Sequence, residues 1–304
     1  MQKRWRVLAD SAALLVVAAL MAAGGLAACS SETTPSASPS PTPSSAIAFD
    51  PFPPGTATAE EAMAIGRDYA AQLTAKTLGT SALFAADAIV RISFTGEEFT
   101  GADVLAYYSH PGFLANDFST APMYATGGAA VVEHTVSNAD GPLIYTLEML
   151  SVSDGKITHQ EVYGAGVAGG VAPQPMASQP GPADTGEAAH AVVTAYFKAL
   201  AKGDVTAASA LYDPAVVFQD ADAKPGGAPE LVAWHQKLAA VPELLFEPRS
   251  IIAGDGWALA RWVLGGTTSY GLWTGGTGAT MFEVRDGKIA RQTMYYDTGA
   301  SPLQ

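Results

Sequence analysis

The tetrapeptide Asp-Gly-Lys-Ile occurs twice, at residues 154–157 and 286–289, 132 residues apart. Each copy sits between alternating runs, Leu147 to Tyr163 and Ala279 to Asp297. Asp-Gly closes tight hairpins because glycine takes positive φ freely. Two equivalent hairpins at this separation constrain the chain to two copies of one strand-containing domain.

The rest of the chain is ordered around them. Residues 1–28 read as an export signal: Lys3-Arg4-Trp5-Arg6 is a positive start and Ser11 to Leu26 an apolar, alanine-rich run. Leu26-Ala27-Ala28-Cys29 resembles the lipobox of bacterial lipoproteins. The resemblance implies cleavage before Cys29, lipidation of its thiol and a membrane partner reached through it, on the extracytoplasmic face. A plain membrane anchor is the other reading of the apolar run. Residues 29–58 are a Ser/Pro/Thr-rich tether without the apolar content to offset ordering entropy. A Gly/Pro-rich linker over 164–184 separates a first domain, 59–163, from a second, 185–300, which modularity predicts will fold alone.

Periodicity predicts the same element order in both domains. In the first, helices are expected over Glu60 to Leu78, Ser81 to Ala86 and Asp103 to Ser109, with a strand at Ile89 to Phe94. Strand runs follow at Met123 to Thr126, Ala129 to Val136, Leu143 to Val152 and Lys156 to Tyr163. In the second, helices are expected over Glu187 to Lys202, Val205 to Tyr212 and Glu230 to Ala240. Thr185 is placed as a cap, Gly203 as a stop and Pro229 as an opener. Strands are expected at Val216 to Gln219, Phe246 to Ala253, Trp257 to Leu264, Ala279 to Val284 and Lys288 to Tyr296. Helices followed by consecutive strands mean α+β, with each sheet covered by helices on one side.

Composition excludes several classes. The formal charge is −13, and loss of Lys3, Arg4, Arg6 and Asp10 with the signal leaves about −15 by count. A surface of that sign repels phosphate backbones, so no nucleic-acid partner is expected. One cysteine excludes an intrachain disulfide framework and a cysteine-based zinc site.

The run from Ala195 to Asp220, Gly271 to Gly275 and the closing Tyr295-Tyr296-Asp297 resemble SnoaL-like members of the nuclear transport factor 2-like superfamily, which includes ketosteroid isomerase. A weaker likeness in the first domain rests on Leu83 to Ala88, Phe99-Thr100-Gly101 and its own hairpin. The resemblance implies two tandem cone-shaped domains, each a curved antiparallel sheet with three helices on its concave side. The superfamily mixes isomerases, cyclases, hydrolases and dehydratases with pockets that only bind, so fold leaves function open.

Within that resemblance Asp220 matches the general base and Tyr196 the hydrogen-bond donor to an enolate. A carboxylate in an apolar cone is a stronger base than in water, and a buried phenol stabilises an oxyanion. Burial is expected to raise the Asp220 pKa. The family's second oxyanion acid falls at Ala279, which has no proton to donate. Tyr196 reads equally as a core residue and Asp220 as a rim carboxylate. The resemblance points Gln292, Met294 and Tyr296 into the cone, with Met281 and Trp262 nearby; plain core packing is the alternative. Trp234, Trp257, Trp262 and Trp273 all fall in the second domain, which suits a pocket or a core equally. A gapless match sets Ile92 opposite Asp220 and Asp68 opposite Tyr196, so the first domain reads as degenerate.

His110, His134, His159, His190 and His235 share no metal-ligand spacing, although His134 and His159 sit on strands that could approach. His235 is expected at a pocket mouth or in water. Neither a metal nor a cofactor is expected. The leading expectation is an envelope lipoprotein that binds a small apolar molecule or an envelope protein. A proton-transfer enzyme using Asp220 and Tyr196 is the second. A scaffold, whose domains pair with each other or with a homodimer partner through their sheets, is the third.

Overall fold

A computed structural model describes residues 52–166, 181, 183, 185–221, 225–268 and 271–296. The signal, Cys29, the tether up to residue 51 and most of the linker lie outside these residues. No described helix is long and apolar enough to cross a membrane.

The first domain opens with α1 (Ala59–Thr74), started by a capping box in which Thr58 and Glu61 satisfy each other's backbone amides. A 3-10 turn (Leu78–Thr80), β1 (Phe84–Ile92), β2 (Glu97–Thr100), α2 (Ala102–Ser109) and α3 (Pro111–Leu114) follow. Then come β3 (Asp117–Thr126), β4 (Ala129–Asn138), β5 (Gly141–Ser153) and β6 (Lys156–Gly166). The second domain comprises α4 (Glu187–Leu200), α5 (Val205–Ser209), β7 (Tyr212–Gln219), α6 (Ala228–Ala239), β8 (Leu245–Gly254), β9 (Trp257–Thr268), β10 (Gly271–Arg285) and β11 (Lys288–Tyr296).

Both Asp-Gly turns have two consecutive residues at positive φ, Asp154 51° and Gly155 67°, Asp286 50° and Gly287 72°. That is the primed turn matching the twist of the strands it joins. The likeness extends beyond the turn. Each hairpin bulges at the same place, Ser151/Val152 and Glu283/Val284. Lys156 and Lys288 each donate to a backbone carbonyl, of Ala82 and Ala210, in the segment entering the domain's first strand. The sheet orders are β2-β1-β6-β5-β4-β3 and β7-β11-β10-β9-β8, alike but for the added edge strand β2.

Several expectations need correction. Neither sheet is purely antiparallel, because β1–β6 and β7–β11 pair in parallel. The helix expected over Ser81 to Ala86 is absent. Phe84 pairs with Ile157 and the Leu83 carbonyl accepts from Ile157, so the strand claims that backbone. The second domain keeps its short helix because Asp204 caps it, accepting from the Ala207 amide at 2.9 Å. Strand β2 went unexpected; Arg91 and Glu98 tie it to β1 at 2.6 Å. Gly186, not Thr185, caps α4, packed too closely on Gly254 for any side chain. Strand β6 runs to Gly166, into the stretch read as linker.

Alternation sorts each strand into two faces. Helices cover one. In β4, β5 and β6 it carries Val132, His134, Glu148, Leu150, Gln160 and Val162. The opposite face carries Val131, Glu133, Leu147, Met149, Glu161 and Tyr163, and it packs on the second sheet. Across this seam Arg261 on β9 is 2.7 Å from both Glu161 carboxylate oxygens and donates to the Tyr163 hydroxyl at 2.9 Å. Arg291 lies 3.7 Å from Glu133, and Thr126 donates to the Ala253 carbonyl at 2.8 Å. Phe52 closes one end, its ring edge-on to His159 and 5.8 Å from the Arg261 guanidinium.

Candidate functional site

In the second domain α4 buries Val193, Tyr196, Phe197 and Leu200 against the sheet, as a helix with that spacing must. Tyr196 is fully buried and ringed by Phe197, Tyr212, His235 and Phe282, with centroids 5.2–5.7 Å away. Burial holds its phenol well above the ordinary range; Tyr212 and Gln292 pull it down and the Asp220 charge pushes it up. Asp220 follows β7, half-buried, and its Oδ1 accepts from the Tyr296 hydroxyl at 2.5 Å and the Ala221 amide at 3.0 Å. Tyr296 stacks edge-on to Trp262, whose indole donates to Thr280 at 2.7 Å. A Cβ on Gly278 would stand 2.4 Å from the Trp262 ring, so glycine there admits the indole.

Gln292 accepts from the Tyr212 hydroxyl deep in the same space, and Met294 lies on the same strand face. Trp262, Gln292, Met294 and Tyr296 therefore share the helix-covered face with Tyr196. Met281 does not. It pairs with Leu259 and Thr293, on the face of Arg261 and Arg291, and belongs to the seam between the sheets. Ala279 lies on that seam face too, opposite Arg261. The Trp273 side chain lies outside the described residues.

His235 is fully buried rather than at a mouth, and burial lowers its pKa to about 4. Its two ring nitrogens, the Tyr196 hydroxyl and the Gln292 amide nitrogen have no hydrogen-bond partner of accepted geometry among the described residues. His134 and His159 face opposite sides of the first sheet, and among the described residues no group of three metal-ligating side chains forms.

The first domain, expected to be degenerate, carries a partly open pocket of about 290 Å³ between α2, α3 and the strands β1 to β6. Phe94, Tyr107, Phe113 and Phe118 supply aromatic wall; Glu148 and His134 supply polar atoms. Glu148 on β5 is 4% exposed. Its Oε2 accepts from the Tyr69 hydroxyl on α1 and from Gln160 Nε2 at 2.8 Å. Tyr108 donates to Gln160 Oε1 at 2.9 Å and shares a 3.1 Å contact with the Tyr69 hydroxyl. His134 Nε2 lies 3.4 Å from Glu148 Oε1.

Burial pushes the Glu148 acid up to about 8, against the pull of hydrogen bonds from Tyr69 and Gln160. Burial also drives His134 down to about 3. At neutral pH the pair is thus a carboxylic acid beside a neutral imidazole. Such an acid is a hydrogen-bond donor and a proton source. Sequence reasoning missed Glu148, Gln160, Tyr69 and Tyr108. The signal was available: the 132-residue offset maps Gln292 onto Gln160 and Thr280 onto Glu148.

Residues 193–292 match the SnoaL-like domain family. The second domain is SnoaL-like. Solved structures described as nuclear transport factor 2-like and ketosteroid isomerase-like each align with about a third of the chain. A protein of Xanthomonas campestris pv. campestris described as a polyketide cyclase is 27% identical, over 37% of this chain and 93% of its own, with a TM-score of 0.32. One of Pseudomonas putida, described likewise, is 26% identical over 37% and 93%, with a TM-score of 0.30. A protein of Kribbella flavida described as a ketosteroid isomerase is 22% identical over 40% and 84%, with a TM-score of 0.32. No curated protein matches the chain.

Proposed function

We propose that this is an envelope lipoprotein, anchored on the extracytoplasmic face through Cys29, whose SnoaL-like fold binds a small, largely apolar molecule. One observation carries the binding reading: the first domain holds a cavity of about 290 Å³, aromatic-walled, with buried polar groups at one pole. Mostly apolar walls with a few convergent polar atoms are what small-molecule sites share. The lipobox-like Leu26-Ala27-Ala28-Cys29 and the tether support the anchoring.

The test is native mass spectrometry of the full chain isolated from its own membranes. A bound small molecule should be present, and Ile144→Trp, which fills the cavity, should remove it. The reading is refuted if the intact chain carries nothing and calorimetry with apolar aromatic probes detects no heat of binding.

A second reading, a proton-transfer enzyme of isomerase, cyclase or dehydratase type, has support in the second domain. Asp220 and Tyr196 face one space there and the Asp220 charge reaches the Tyr196 phenol without a bond between them. That suits a base and an oxyanion donor flanking a substrate. Asp220→Asn should abolish any turnover; activity that survives it removes this reading.

A further inference from the structure

The inference rests on the reading of the first-domain cavity as a binding site, and it names what that site accepts. The polar pole of the cavity is one carboxyl group. Tyr69, Tyr108 and Gln160 form a closed set around Glu148 Oε2: Gln160 Nε2 donates both to that oxygen and to the Tyr69 hydroxyl at 2.9 Å. Oε2 is turned to Tyr69 and Gln160, which do not line the cavity, and Oε1 to His134, which does. The distance from Oε1 to His134 Nε2 is a long 3.4 Å.

The protonation follows from the same arrangement. With Oε2 accepting from Tyr69 and Gln160, the acid's single proton is assigned to Oε1. The ionisable groups facing Glu148 are Tyr69 on α1, Tyr107 and Tyr108 on α2, His134 on β4 and Glu97 on β2. None is a cation at neutral pH, and no lysine or arginine lines the cavity. Burial keeps the acid neutral up to about pH 8. A buried O–H must find an acceptor or lose free energy. His134 offers a distant one.

We propose that the first-domain cavity takes an uncharged, mostly aromatic or aliphatic molecule bearing a carbonyl oxygen, that the Oε1 proton of Glu148 holds that oxygen, and that carboxylates are rejected. Phe94, Tyr107, Phe113 and Phe118 enclose the apolar body. A carboxylate ligand would bury an anion beside Glu148 and Glu97 with no countercharge, which the low-dielectric site penalises.

Three probes of one shape test this: naphthalene, 2-acetylnaphthalene and 2-naphthoate, titrated calorimetrically into the full chain at pH 6 and pH 9. At pH 6 the ketone should bind roughly tenfold tighter than the hydrocarbon, as one well-formed hydrogen bond allows. The naphthoate should bind weakest. At pH 9 the ketone's advantage should fall to about twofold or less, because ionised Glu148 has no proton to give. Glu148→Gln keeps an N–H donor and cannot ionise, so its ketone preference should persist at both pH values. Naphthalene binding with no ketone preference, a preference equally strong at pH 9, or naphthoate binding as tight as the ketone would each overturn the proposal while leaving a binding cavity. Failure of all three probes would overturn the binding reading with it.

Discussion

Replacing Glu148 by Gln should change how stability depends on pH, in a way only a buried neutral acid explains. Glu148 titrates near 8 in the fold, against 4.5 for an unperturbed glutamate. Its folded pKa is raised, so the native chain binds more protons than the unfolded chain between those values. The stabilisation is fully present below about pH 4.5 and is lost as pH rises toward 8. At 1.36 kcal/mol per tenfold, the full gap corresponds to about 5 kcal/mol. His134 and His235, lowered to about 3 and 4, act oppositely: they cost stability as pH falls from about 6.5 to 4. Wild-type stability should therefore peak near pH 6. Gln fits the same space, accepts from Tyr69 and Gln160, and has no proton to lose. Glu148→Gln and wild type should lie within about 1 kcal/mol at pH 5, and the variant should be about 3–5 kcal/mol more stable at pH 8.5. Urea unfolding followed by circular dichroism across that range measures the difference. Two parallel pH profiles would refute the neutral-acid assignment.

Other perturbations test the remaining structure. Arg261→Leu should cost about 3–5 kcal/mol in urea unfolding, because it leaves Glu161 buried without its countercharge; a cost under 1 kcal/mol would mean the seam is wet. Residues 185–296 alone should be aggregated or molten by NMR, against the modularity read from the sequence, since they would expose Trp257, Leu259, Met281 and Arg291. Asp220→Asn should cost about 1 kcal/mol, because Oδ1 already receives two donors; a stabilised variant in thermal melts would reverse this. Cys29→Ser should release the protein from membranes or leave it unprocessed on fractionation, and unaltered processing and attachment would end the lipoprotein proposal.

The hairpins, the buried stripe of α4 and most strand positions were legible because each rests on local periodicity or on turn residues with a steric reason. The pocket chemistry of the first domain was not, and the run Leu147-Glu148-Met149-Leu150 shows why. One polar residue among apolar neighbours on a strand suggests a solvent face at Glu148 and a core face at Leu147 and Met149. Here both faces are buried, one under helices and the other against the second sheet, so alternation loses its meaning. Met281 failed for the same reason: an apolar side chain in a strand buried on both faces can belong to either. The gapless comparison anchored at Leu83-Phe84 agrees with the strand registers, in which Phe84 and Tyr212 pair with Ile157 and Ile289, but it stopped at Ile92 and Asp68. Anchored at the hairpins, the 132-residue offset continues through Gln160 and Gln292, each accepting a buried tyrosine hydroxyl.

That shared glutamine separates what the fold needs from what each domain has added. In both domains it holds a tyrosine hydroxyl beneath the sheet, from α2 at Tyr108 and from β7 at Tyr212. Twelve residues before it the two copies part. The first domain has Glu148, a buried acid stabilised by Tyr69 and the same glutamine; the second has Thr280, satisfied by the Trp262 indole. A buried acid is costly, and Thr280 shows that the fold does not require one at this position. The seam repeats the point. His159 and Arg291 also correspond, yet Arg291 faces Glu133 while His159 meets Glu161 and the Phe52 ring. The copies have thus diverged toward each other on one face and toward different contents on the other. Their pairing gives the seam a structural role in each domain, so ligand chemistry is confined to the helix-covered faces. On that face the first domain carries an aromatic-walled pocket and a buried acid.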